Sequence, residues 1–108
     1  MDETRIARTE SLFRHVNERI AETLRRLDGD EAIFVCECAD QNCADRVAAP
    51  LEEYERTRRD GAQFLVADGH EDTPVERTVR RGPGFRIVRK LGWAGRIARR
   101  LDPRAESA

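Results

Sequence analysis

The sequence predicts an α+β fold: a long N-terminal helix, a small antiparallel sheet of three to five strands with a cysteine-rich knuckle, and one or two short helices. Three observations lead there. Residues 3–27 carry apolar side chains at three- and four-residue steps. Short β-branched and aromatic runs between 32 and 91 are separated by Gly, Asp and Pro. Three cysteines, Cys36, Cys38 and Cys43, lie at and just beyond the end of the first of those runs.

The helix comes first. Ile6, Phe13, Val16, Ile20, Leu24 and Leu27 form a narrow apolar seam, with Thr9 and Thr23 at weaker positions and charge over most of the remaining surface. His15 falls off the seam and reads as exposed. Asp28-Gly29-Asp30 stops the helix, because Gly accepts the left-handed conformation common after a helix end. At about 38 Å the helix is longer than so small a domain needs. It suits packing on its own domain and pairing with another chain equally well.

Ala32–Cys36 is a β-prone apolar run and reads as a buried strand. Arg46–Ala49 supplies the returning strand. Pro50 suits a helix start, and Glu52 and Glu53 suit its positive end, so a second helix is expected over 51–59. Gln63–Ala67 is the next strand. Segments 75–81 and 85–91, around Gly82-Pro83-Gly84, read as a hairpin in which Val75, Arg77 and Val79 alternate with other residues. Gly92 and Gly95 loosen the next stretch, Ile97, Ala98 and Leu101 give a short helical face, and Asp102-Pro103 closes it. The chain therefore divides into an amphipathic helix at 1–28, a small α+β metal-binding domain at 31–102 and a disordered tail at 103–108.

The chain has 108 residues, 39% hydrophobic and 38% charged. So small a core commonly needs a further cross-link. The formal net charge of -1 excludes a uniformly basic nucleic-acid binder and an acidic disordered chain. It hides a polarity: residues 1–72 sum to -8 and residues 73–108 to +7. Such a layout aligns the chain with itself, with a second copy or with a polyanion. No apolar run is long enough to cross a bilayer, and Met1–Arg5 lacks the core of a signal peptide, which points to the cytoplasm and away from membranes.

The spacing C-x-C-x4-C carries the most chemistry. Cys36 and Cys38, two residues apart at a strand end, face the same way. Asp40, Gln41 and Asn42 turn the chain back so that Cys43 rejoins them. Zinc takes four ligands in a tetrahedron, and His70, after a strand and the Asp68-Gly69 turn, is the natural fourth. Glu71 or Asp72 is placed to orient the imidazole. Inert buried thiols and redox or catalytic thiols are the competing readings. A Cys36–Cys38 disulfide would strain the backbone, and an iron–sulfur cluster usually takes four thiolates. No Ser/His/Asp set, carboxylate motif or Gly-rich phosphate loop is present, so an enzyme ranks last.

Phe34-Val35-Cys36-Glu37-Cys38-Ala39-Asp40, Asn42-Cys43-Ala44-Asp45-Arg46-Val47, Leu51-Glu52-Glu53-Tyr54-Glu55 and Phe64–Glu71 together resemble small, largely uncharacterised cysteine-knuckle proteins of high-GC bacteria. The likeness spans nearly the whole chain, and its most specific parts are the knuckle and the Gly69-His70-Glu71 turn. It implies that His70 accompanies the cysteines, and it brings no activity with it. The basic 77–100 stretch departs from the more acidic pattern.

The expected function is a non-enzymatic interaction module stabilised by a structural zinc at Cys36, Cys38, Cys43 and His70. Its partner, another protein or a second copy, would use the N-terminal helix. The alternative is a nucleic-acid or ribonucleoprotein binder using Arg77, Arg80, Arg81, Arg86, Arg89 and Lys90, continued by Arg96, Arg99 and Arg100. Against it stands pairing of those arginines with the chain's own acidic part.

Overall fold

The computed structural model describes residues 3–104 other than 39, 41 and 73, and side chains from Arg8 onward. The order of elements is α1 (Glu3–Arg26), β1 (Glu31–Val35), β2 (Arg46–Pro50), α2 (Leu51–Thr57), β3 (Gln63–Ala67), β4 (Glu76–Gly82), β5 (Phe85–Lys90) and α3 (Gly92–Arg100). The fold is α+β, and the strands form two antiparallel sheets rather than one: a β1–β2 pair, and a triple in the order β3-β5-β4. The division falls at the knuckle, where the amide of Glu37 donates to Leu65 O of β3 at 2.8 Å and links one sheet to the other.

The end of α1 is set by local geometry. Asp28, with φ of 54°, takes the left-handed position, one residue before the glycine. The amide of Gly29 then donates to Leu24 O at 2.9 Å and that of Asp28 to Arg25 O at 3.3 Å, which caps the last carbonyls. A Cβ on Gly29 would lie 2.2 Å from the end of the Leu24 side chain, which would have to shift to admit it.

The face by which α1 docks differs from the apolar seam. Its buried residues are Glu10, Arg14, Asn17 and Ala21, while Leu12, Val16 and Leu27 are exposed. The side chain of Ile6 lies outside those described. Burial of this polar stripe is possible because each residue finds a partner, with Arg14 Nε left unsatisfied. Arg14 Nη1 donates to Gly61 O at 2.5 Å and Nη2 to Ala98 O at 2.7 Å, and its guanidinium lies 4.4 Å from the Phe64 ring centre. Lys90 Nζ sits 2.6 Å from Glu10 Oε2 and 2.7 Å from Glu76 Oε2, all three side chains buried. Asn17 Nδ2 donates to Val35 O and its Oδ1 accepts from Val35 N, both at 2.8 Å, as a neighbouring strand would.

The apolar core lies on the other side. Phe34 of β1 stacks on Tyr54 of α2 with ring centres 4.6 Å apart. Leu65 and Ile87, partners across β3 and β5, are fully buried. In the hairpin, Gly84 takes φ of 78° after Pro83, as a tight turn demands. The pairing register shifts between Thr78 and Arg80, which breaks the alternation expected of Val75, Arg77 and Val79. Helix α2 ends at Thr57, short of the expected 59, and α3 begins at Gly92 rather than near Ile97. Gly95 therefore lies inside a helix, where a Cβ would meet Lys90 O at 2.8 Å. Most of the expected tail lies outside the described residues. Arg104 within it is ordered by Glu18 and Glu55, with Nε 2.8 Å from Glu18 Oε1 and Nη1 3.0 Å from Glu55 Oε2.

The inverted helix has two measurable consequences. Asn17→Ala removes the hydrogen bonds of Asn17 to Glu37 and Val35 and should cost about 3 kcal/mol in urea unfolding, whereas Val16→Ala should stay within about 0.5 kcal/mol. Burial raises the carboxyl pKa of Glu10 from 4.5 to about 7, against the lowering effect of Lys90. A raised carboxyl favours the fold while protonated and loses that contribution as pH rises through the folded value. Glu10→Gln should therefore gain stability relative to the unmodified chain as pH rises from 4.5 to about 7, measured by denaturation at each pH.

Candidate metal centre

Strand β1 ends at Val35, and the chain continues extended through Cys36, Glu37 and Cys38. The alternation sends Glu37 one way and the cysteines the other. Glu37 is fully buried: its Oε1 accepts from the Leu65 amide at 2.9 Å and its Oε2 from Asn17 Nδ2 at 2.8 Å. The return turn is local. Asp40 Oδ1 accepts from the Asn42 amide at 2.9 Å, and Asp40 O accepts from the Cys43 amide at 3.0 Å. The Cys36 amide donates to Asp45 O at 3.1 Å and closes the loop. On the other side, β3 ends in a turn through Gly69, φ 84°, and the His70 amide donates to Ala67 O at 3.0 Å.

These two segments bring Cys36, Cys38, Cys43 and His70 together, with all four ligand atoms within 4.8 Å of one another. His70 Nδ1 is 3.6 Å from Cys36 Sγ and 3.5 Å from Cys43 Sγ. A tetrahedron with Zn–S of about 2.3 Å and Zn–N of about 2.05 Å has an S···N edge of about 3.6 Å. Those two S···N separations match such an edge, and the cluster is compatible with a structural metal site.

The tautomer is set from outside the cluster. His70 Nε2 lies 2.9 Å from Asp45 Oδ2, which leaves Nδ1 to face the thiols. Glu71 and Asp72, expected in that role from the sequence, are both otherwise engaged. Glu71 Oε2 is 3.2 Å from Arg86 Nε, and Asp72 forms the turn into β4, where its amide donates to Glu76 Oε1 at 2.6 Å. Asp45 escapes a sequence reading because it lies far from His70 along the chain, although its place two residues after Cys43 is a usable signal.

The electrostatics favour anionic sulfur at Cys38. The Ala67 amide donates to Cys36 Sγ at 3.2 Å. Hydrogen bonds from Cys36, His70, Cys43 and the Asp40 amide hold the Cys38 thiol down at about 5, with Cys36 contributing most, against burial. Sharing its proton with Cys38, together with burial, pushes the Cys36 thiol up, and burial does the same for Cys43. The His70 imidazole is raised, chiefly by Cys38 and then by Asp45. All three cysteines are free of disulfides. Cys38 and His70 also line a cavity of about 320 Å³, shared with Asp40, Asp72 and the Glu10–Lys90–Glu76 group.

The basic residues of the alternative reading do not form one surface. Lys90 is buried between two carboxylates. Arg80 Nε is 2.5 Å from Glu53 Oε1, Arg86 Nε is 3.1 Å from Asp68 Oδ1, and Arg89 Nε is 3.4 Å from Asp60 Oδ2. Arg77 and Arg81 remain exposed, opposite Arg89 and Arg86 across the hairpin. No helix among the described residues is long and apolar enough to cross a membrane.

No family model matches the chain, and neither the curated proteins nor the solved structures include one significantly similar to it. The functional reading therefore rests on the site itself. Asp45→Asn should weaken Co²⁺ or Zn²⁺ affinity about 10- to 100-fold while leaving a tetrahedral cobalt spectrum. Cys38→Ser should weaken that spectrum's thiolate charge-transfer bands, with those of Cys36 and Cys43 remaining, and Glu71→Gln should leave affinity unchanged.

Proposed function

We propose that this chain is a non-enzymatic interaction module whose small core is fastened by a structural zinc ion held by Cys36, Cys38, Cys43 and His70. The observation that carries the reading is the pair of S···N separations, 3.6 and 3.5 Å, from His70 to two cysteines brought in from the same knuckle. Four protein ligands complete a tetrahedral zinc and leave no position for a substrate, as in structural rather than catalytic sites. The ion would tie the end of β1 to the end of β3, the junction of the two sheets. Free cysteines at such a site suit a reducing compartment, so we place the protein in the cytoplasm. The resemblance to cysteine-knuckle proteins of high-GC bacteria accords with this reading and adds no activity to it.

Protein purified without chelator or nickel resin should hold one equivalent of zinc, and chelation should lower its melting temperature steeply, since binding and folding are coupled. Cys36→Ser, Cys38→Ser and Cys43→Ser should each do the same, and His70→Ala less so, because a water replaces the imidazole. A stable, metal-free protein with three reactive thiols would refute the site.

The nucleic-acid reading keeps one supporting observation, the exposed Arg77 and Arg81 without an ion pair among the described residues. Binding to RNA or duplex DNA near physiological salt should be weak and indifferent to sequence, and should fall with added salt. Tight binding lost in Arg77→Glu and Arg81→Glu would reverse the ranking.

A further inference from the structure

The outward side of α1 is where this chain departs furthest from an ordinary helical face. Its inward stripe is largely polar, and Leu12, Val16 and Leu27 are exposed while Ile20 packs in part against the core. Val16, Ile20, Thr23, Leu24 and Leu27, with Ala32 of β1, line a groove of about 530 Å³ between the helix and the strand edge. Val16 is 39% and Leu27 75% exposed, and Leu12, one turn before Val16 on the same side, is 62% exposed. An apolar stripe this continuous on a surface helix marks a contact face.

Charge on the rim selects the occupant. Arg8, Arg19 and Arg26 recur at intervals that place them on one side of α1. All three are exposed, and none has an ion-pair partner among the described residues. Arg19 itself lines the groove. In an antiparallel two-fold pairing of α1 with a second copy, the arginine row would meet its own image, and like charges there oppose association. The groove is concave, bounded by a helix and a strand, and so suits an inserted element better than a flat lipid surface.

We propose that this groove is the docking site for an amphipathic helix of another protein, with apolar residues at i, i+3, i+4 and i+7 and acidic residues on the flank that faces Arg8, Arg19 and Arg26. The inference deepens the interaction-module reading and rests on it, but not on the metal. The helix would lay its apolar side on Val16, Ile20 and Leu27, and its carboxylates would pair with the arginine row. The apolar floor supplies the affinity, and the arginines set orientation and the choice of partner.

The test uses the full chain as purified and two synthetic helical peptides of about four turns, alike in their leucines, one flanked by glutamate and the other by lysine. The glutamate peptide should bind about tenfold or more tighter than the lysine peptide at low salt. Arg19→Glu with Arg26→Glu should reverse that preference, and Val16→Asp with Leu27→Asp should abolish both. These side chains are exposed, so thermal melting and zinc content should not change, and zinc content read on the same samples separates a failure of the groove from a failure of the metal site. Equal binding of the two peptides, or binding of neither, would overturn the proposal. So would a dimer by sedimentation that Val16→Asp dissolves, or binding to anionic vesicles that the glutamate peptide does not displace.

Discussion

The fold turns on the hydrogen bonds that Asn17 and Glu37 make in a buried setting. Asn17 gives one face of its amide to the backbone of Val35 and the same nitrogen to Glu37, and Glu37 gives its other oxygen to the Leu65 amide. Three elements meet there: α1, the end of β1 and β3. A buried carboxylate is costly unless hydrogen-bonded, and burial does raise the pKa of Glu37 against the lowering effects of Asn17 and Leu65. The arrangement is valuable because alternation along the chain makes it reciprocal. With Glu37 held inward, Cys36 and Cys38 are obliged to face the other way, toward Cys43 and His70. The polar tie and the candidate metal centre are two sides of one extended segment.

The opposed charges of the two parts of the chain are mostly spent within the molecule. Glu10 and Glu76 take Lys90, Glu18 and Glu55 take Arg104, Glu53 takes Arg80, and Asp60 takes Arg89 and Arg99. Arg58 joins Glu18 and Asp102. The exposed pairs contribute little each, but together they orient the last third of the chain on the first two-thirds. The buried ones fix which face of α1 is inward. Their satisfaction by protein partners leaves Arg77 and Arg81 as the hairpin arginines without an ion pair among the described residues.

The sequence alone was sufficient where the determining forces are local. Period-two and helical patterns located all five strands and the helices α1 and α2 to within a few residues, because side-chain alternation and turn chemistry act over short range. The knuckle was legible for the same reason: Cys36, Cys38 and Cys43 are brought together by two residues of strand and one tight turn, and His70 follows its own strand end. Tertiary structure decided what depends on partners distant in the chain. Periodicity names an apolar face of α1 but does not say which face is buried. Glu10, Arg14 and Asn17 go inward because Lys90, Gly61, Ala98, Val35 and Glu37 wait there, and no local rule pairs residues so far apart. Asp45 rather than Glu71 orients His70 for the same reason, and Gly95 continues a helix because the carbonyl of Lys90 leaves no room for a side chain. Local stereochemistry wrote the elements and the Cys36–Cys38–Cys43–His70 cluster into the sequence, while the docking of α1 and the pairing of the charges required the satisfaction of buried polar groups across the whole fold.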